Sequence, residues 1–257
     1  VNDRLAPEVL VLGADGEIAS GVVGALLEAG SPVLGLGRDG PRLQALADHY
    51  AGEPGLELLT RGCPASDRAA EKLVARLRKR KRPLRAVFAS LDSPLECGRL
   101  MDRPADFLRT KLESELVPHL AAARHLVPLL ARYDGTAHYI LIGGPLAQRG
   151  WAGYGHASIA AAALRMLANV LHEEAHALGV RVQMLTVDQP VCVAGNERNA
   201  CAQWPRALAV GRHAVSLLTH GERPRAVVPF DPGRALLPAR PLFPEFSLPL
   251  ANHEIQP

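Results

Sequence analysis

Two stretches place chemistry-bearing residue types at telling spacings. The first is GADGEIA, Gly13 to Ala19, between a continuous apolar run and a segment of helical period. A strand-turn-helix of this form suits a dinucleotide. Gly13 permits the tight turn, Gly16 lets backbone approach a pyrophosphate, and Ala19 allows close helix-strand packing. The helix start then offers free N–H groups to the phosphates. The next apolar run ends GLGR, Gly35 to Arg38. A free 2′-hydroxyl calls for a carboxylate near Gly37. Glycine followed by arginine suits a 2′-phosphate instead, because guanidinium and phosphate pair in a fixed geometry. The expected cofactor is therefore NADP(H).

The second stretch, LHEEAH, holds an H-E-x-x-H motif from His172 to His176. On a helix it sets two imidazoles one turn apart, with Glu173 as the general base of a zinc peptidase. It lies in the last helical turns, three residues before an apolar run at 180–187, and only Glu197 offers a third ligand by distance along the chain. A zinc peptidase needs the motif mid-helix, facing a cleft. No metal is expected.

The bulk properties restrict the alternatives. The 257 residues carry 29 basic and 26 acidic side chains, a near balance that asks for no nucleic-acid or membrane partner. The basic run RLRKRKRPLR, Arg76 to Arg85, ends one helix and starts a strand. Such an edge faces away from the ligand crevice of a doubly wound sheet, and basic residues there complement the helix dipole. Cys63, Cys97, Cys192 and Cys201 show no C-x-x-C spacing and read as free thiols. No apolar run reaches the roughly 18 residues of a membrane span. The opening VNDRLAPEV lacks the features of a signal peptide, so a cytoplasmic location is expected.

The elements that must position these residues alternate. Apolar runs at 9–12, 32–36, 56–59, 84–90, 138–142, 180–187 and 225–229 read as seven strands. Helical periodicity at 17–29, 41–50, 67–79, 105–132, 152–178 and 207–219 supplies six intervening helical segments. The expected fold is a single α/β domain over 1–231, a doubly wound seven-stranded parallel sheet with helices on both faces. The Pro-rich stretch 232–257 is aperiodic and is expected to form no regular element but to wrap the body or a partner chain.

This order of elements resembles the short-chain dehydrogenase/reductase family, over roughly residues 9–229. The turn is similar to the family's GxxGxxG form. ELVPHLAAARHLVPLL, Glu115 to Leu130, resembles its long interface helix, and HYILIGGPLAQRGWAGYGHASIAAAALRML its catalytic strand-loop-helix unit. The resemblance implies cofactor contacts at Gly13, Ala14, Asp15, Gly16, Ile18, Arg38, Ala89 and Ser90. It also implies a homodimer or homotetramer, or a hetero-oligomer with an active family member, through the helices around 115–130 and 155–171.

Family enzymes use a Ser, a Tyr, a Lys four residues beyond the Tyr, and a helical Asn. The Tyr is the general acid/base, and the Lys ammonium lowers its pKa. Matching ASIAA, Ala157 to Ala161, to the family's A-S-K-A-A puts Gly155 at the Tyr position and Ile159 at the Lys position. Gly143 or Gly144 takes the Ser position, and Glu115 or Ser114 the Asn position. No lysine follows Lys111, so no Y-x-x-x-K forms in any alignment of this half.

The polar residues left near the expected cleft are Tyr154, His156, Glu115, Asp92, Arg149 and Asp188. Of these, Tyr154, His156 and Glu115 are the catalytic candidates, with His156 and Glu115 a possible acid/base couple. Three functions fit, in order. The first is an NADP(H)-binding protein without the Ser-Tyr-Lys machinery, acting as a non-catalytic subunit or regulator or with relocated chemistry on a small-molecule ligand. The second is an NADPH-dependent reductase using Tyr154 or His156. The third is a nucleotide-free binding module.

Overall fold

Successive residues of the first strand serve opposite cores. In β1 (Glu8–Leu12), Val9 and Val11 join one buried cluster, and Leu10 and Leu12 the other. A strand apolar on both faces belongs in the middle of a sheet covered on both sides. The structure, a computed structural model, describes residues 5–60, 64–91, 95–219, 225–235 and 240–243.

After β1 come α1 (Glu17–Glu28), β2 (Val33–Gly37), α2 (Pro41–His49), β3 (Leu56–Thr60), α3 (Asp67–Leu77) and β4 (Leu84–Ala89). The second half runs α4 (Ala105–Glu115), α5 (Val117–Leu130), β5 (Ala137–Gly143), α6 (Gly155–His176), β6 (Val180–Thr186), α7 (Ala207–Ser216), β7 (Val227–Pro229) and α8 (Pro232–Ala235). The sheet order is β3-β2-β1-β4-β5-β6-β7, all parallel, so the expected fold class holds. The order reverses between β1 and β4, which puts a ligand crevice beyond their C-terminal ends.

Two expectations are corrected. The helical region 105–132 is two helices, broken at Leu116 (φ −108°, ψ −47°). Pro118 has no N–H to donate and its ring crowds the carbonyl four residues back. The break leaves Glu115 as the last residue of α4. Beyond Pro232 a regular element does form, the four-residue α8. Pro232 starts it, as proline's fixed φ favours.

Helices α1 and α7 cross at two glycines. A Cβ on Gly21 would lie 2.1 Å from the Ala207 carbonyl oxygen, and one on Gly211 2.0 Å from that of Gly21. At the edge opposite the crevice, the basic run is built into the body. Arg80 forks onto buried Glu8 (2.6 and 2.9 Å) and onto Glu57 (3.1 and 2.7 Å). Arg82 donates to the Ala6 carbonyl (3.0 Å), and Arg85 to that of Leu242 (3.2 Å). The Leu242 N–H in turn reaches the Ala29 carbonyl (3.0 Å), with Leu242 and Phe243 buried against the α1 side of the sheet.

The His172 ring hydrogen-bonds the Val182 carbonyl through Nδ1 (2.7 Å), tying α6 to β6. Among the described residues no three metal-ligating side chains gather, and no helix is long and apolar enough to cross a membrane.

Candidate functional site

The crevice begins at the β1–α1 turn. Gly13 has φ +79°, and a Cβ there would sit 2.0 Å from the Ser90 carbonyl oxygen, so only glycine fits. The Gly13 and Ala14 N–H groups both reach the Leu36 carbonyl (2.9 and 2.8 Å), and the Ser90 N–H reaches that of Leu12 (3.1 Å). This draws Ala14, Ala89 and Ser90 into a buried floor across β2, β1 and β4. Gly16 caps α1 with an ordinary extended backbone (φ −76°). Its value at this position is the missing side chain. No side chain caps the first turn of α1, where Ile18 lies, so its N–H groups can receive a phosphate. These residues fit a dinucleotide.

Arg38 follows β2 as expected, with a partner that sequence reasoning missed. Asp15 accepts from the Arg38 backbone N–H at Oδ1 (3.1 Å) and from its Nε at Oδ2 (2.8 Å). Glu17, in the first turn of α1, lies 3.6 Å from Arg42, and a Cβ on Gly195 would come within 2.9 Å of its carboxylate. The segment after β6 therefore passes over the start of α1. There Asn196 takes the Val193 N–H and donates to the Val191 carbonyl (both 2.9 Å).

The other wall is the start of α6. Here lie Gly155, Ile159 and Gly143 or Gly144, the positions matched above to Tyr, Lys and Ser. A Cβ on Gly155 would meet the Leu100 side chain at 3.3 and 3.5 Å, so a side chain there needs Leu100 to give by a few tenths of an ångström. A Cβ on Gly143 would overlap the Met184 methyl at 2.0 Å, whereas Gly144 has nothing within 4 Å. Ile159, at the lysine position, is a partly exposed apolar side chain. Gly155, Ser158, Ile159 and Ala162 line a cavity of about 520 Å³ with Leu146 and Trp151 of the β5–α6 connection. The Ser158 hydroxyl pins that connection, accepting from the Trp151 N–H (3.2 Å) and donating to the Tyr154 carbonyl (3.1 Å).

The three catalytic candidates fall into two groups. Tyr154 precedes α6 with its phenol against Cys97, and this contact raises its pKa above the ordinary tyrosine value. His156 is buried between α4 and α6, its ring edge-on to Phe107 (centroids 5.2 Å apart). Burial, then the charge of Lys111, lowers its pKa, with Glu96 opposing. Its Nδ1 has no hydrogen-bond partner among the described residues. Half-buried Glu115 has a raised pKa through desolvation, opposed by Lys111.

Glu115 and His156 share Lys111 and Glu96 as charged neighbours, but no hydrogen bond joins the two among the described residues. The expected couple is not formed. Sequence reasoning also missed Lys111, which α4 brings beneath Phe107 (5.7 Å) in an ion pair with Glu96. Its place one turn before Glu115 was the available signal. Arg149 and Asp188 are exposed, with Arg149 on the cavity rim. Asp92 and Cys63 lie outside the described residues.

No protein-family model matches the chain, and neither does any curated protein. Solved structures match closely in shape. A short-chain dehydrogenase from Rhodopseudomonas palustris superposes with TM-score 0.71 at 16% identity, over 88% of this chain and 98% of its own. One from Burkholderia cenocepacia in complex with NADP gives 0.69 at 16%, over 89% and 90%. A protein named ElxO, solved with NADP bound, gives 0.75 at 11%, over 90% and 99%. At these identities the likeness establishes the fold, which is that of the short-chain dehydrogenases.

Proposed function

We propose that the chain is a dinucleotide-binding protein of short-chain dehydrogenase type that takes NADP(H) at the β1–α1 turn and lacks the family's proton-transfer machinery. It serves as a non-catalytic subunit or a cofactor-sensing regulator. The observation that carries this reading is Leu100 packed on Gly155 beside an apolar Ile159. Leu100 in contact with Gly155 supports this reading, since the space beside the tyrosine position is apolar.

The open N–H groups of the first α1 turn, that of Ile18 among them, would hold the pyrophosphate, Gly13, Ala14 and Gly16 would shape the turn beneath it, Ala89 and Ser90 would floor the crevice, and Asp15 and Arg38 would meet the adenosine ribose. When bound, a nicotinamide dinucleotide supplies a hydride donor or acceptor. The residues that remain are poorly disposed to move the accompanying proton. Tyr154 is held by Cys97 rather than by a cation, and His156 is buried against Phe107 with a lowered pKa, which weakens it as a proton donor. The NADP-bound neighbours of the same fold support the cofactor class.

Titration of the purified chain with NADPH, followed by nicotinamide fluorescence, is expected to saturate below millimolar cofactor. Addition of simple carbonyl compounds is expected to cause no NADPH consumption. Absence of saturation refutes cofactor binding. Carbonyl-dependent turnover that vanishes in Tyr154→Phe or His156→Ala refutes the non-catalytic role.

Self-association is part of the same proposal. Ile159, Met166 and Val170 form an exposed apolar stripe along α6, with exposed Val117 and Leu120 on the adjacent α5. Met166→Glu is expected to convert an oligomer to monomer in sedimentation at micromolar concentration. A wild-type monomer, or an unchanged oligomer in the variant, argues against this surface.

A further inference from the structure

The corner that would receive the adenosine ribose holds two opposed charges in contact. The Asp15 side chain is only 9% exposed, and Asp15 crowds Gly37 so closely that a Cβ on Gly37 would stand 3.0 Å from the Asp15 nitrogen and 3.1 Å from Oδ1. Its carboxylate thus occupies the end of β2, the place from which an acid reads a ribose 2′-hydroxyl in dinucleotide folds. Here the acid arrives from the glycine turn, 23 residues before the arginine that it holds.

The Arg38 side chain is 60% exposed and its Nε is taken by Asp15. Beside them Glu17 faces Arg42. The corner therefore contains these two carboxylate–guanidinium pairs, with Asp39 next to Arg38 along the chain.

We infer that Asp15, acting through Arg38 and directly on the ribose, sets the choice between a 2′-hydroxyl and a 2′-phosphate, so that NADH and NADPH bind with comparable affinity. This rests on the dinucleotide reading above. A 2′-phosphate gains the outer nitrogens of Arg38 but meets the Asp15 carboxylate, a like charge in a largely desolvated position. A 2′-hydroxyl has no such conflict and donates to a free lone pair of the same carboxylate. Asp15 neutralises the arginine that would otherwise select the phosphate.

Asp15→Asn separates charge from shape, since the amide oxygen still accepts the Arg38 backbone N–H. NADH and NADPH are titrated separately against wild type, Asp15→Asn, Asp15→Ser and Arg38→Ala by nicotinamide fluorescence, with thermal melts to verify folding. Wild type is expected to bind the two cofactors within about tenfold of each other. Both Asp15 variants should shift the ratio toward NADPH by about tenfold or more, and Arg38→Ala should shift it toward NADH. A wild-type preference beyond about a hundredfold overturns the inference. So does a ratio unmoved in both folded Asp15 variants that still bind cofactor, which leaves dinucleotide binding intact. If neither cofactor binds wild type, dinucleotide binding itself fails and this inference goes with it.

Discussion

Lowering the pH from 7 to 5 is expected to cost the folded protein about 4 kcal/mol, through two buried histidines. His119 in α5 and His138 in β5 are 2% and 1% exposed, and the Nδ1 atom of each has no hydrogen-bond partner among the described residues. Burial lowers His119 to about 4. Burial, with Arg85 and Arg181 nearby, lowers His138 to about 3. A folded pKa below the unfolded value of 6.5 stabilises the native state above pH 6.5, and that stability drains as pH falls toward the folded values. At pH 5 the deficit is about 2 kcal/mol for each, at about 1.4 kcal/mol per pH unit. Most carboxylates are still ionised at pH 5, so the window from 7 to 5 reports chiefly on histidine.

Guanidinium unfolding curves at the two pH values measure this directly. The double variant His119→Leu, His138→Leu should lose clearly less than wild type over the same range, with buried His156 accounting for part of the remainder. A wild-type stability constant to within about 1 kcal/mol, or a double variant as acid-sensitive as wild type, contradicts the assignment.

The second large effect concerns the α1–α7 crossing. Gly211→Ala is expected to destabilise the fold by about 3 kcal/mol even though alanine is the better helix former by about 1 kcal/mol. The added Cβ would lie 2.0 Å from the Gly21 carbonyl oxygen and 2.4 Å from its carbon. Those are backbone atoms, so no side chain can rotate away, and relief requires the two helices to part. Val22, Val210 and Ala214, all fully buried along that seam, then lose packing. Gly24→Ala provides the contrast. Its nearest neighbour is the Tyr50 hydroxyl at 2.4 Å, the end of a rotatable side chain, so about 1 kcal/mol or less is expected. Equal midpoints for the two variants in denaturant melts would show that the backbone contact does not control the packing. Because α1 also carries the first turn of the crevice, Gly211→Ala should weaken NADPH binding as well.

How legible each part was depended on whether its cause is local. The strands announced themselves because those near the middle of the sheet, buried on both faces, must be apolar over their buried length, as in Val9–Leu12 and Ala86–Ala89. The turn at Gly13 was legible from one glycine between two such textures. That no Y-x-x-x-K forms beyond Lys111 was legible because residue types can be read at a fixed spacing.

Contacts that join distant segments were not legible. Asp15 looked like one more turn residue and Arg38 like a free cation, since nothing local says that 23 residues fold back to join them. Leu100 against Gly155, and Lys111 against Glu96, depend on how the β4–α4 connection lies across α4 and α6. The break at Leu116 was within reach, because Pro118 had announced it, but the strong helical period on both sides masked it.

The seam between α1 and α7 also orders events during synthesis. The face of α1 carrying Val22, Leu26 and Ala29 is closed by residues 207–218 and by Leu242 and Phe243, which leave the ribosome some 200 residues later. At about 5–20 residues per second, that face waits on the order of ten seconds or more for its cover. The nascent chain thus displays α1 as an apolar surface until those residues emerge. A holdase that shields amphipathic helices has a defined target in Glu17–Glu28, and a ribosome stalled before Gly211 leaves that target permanently open.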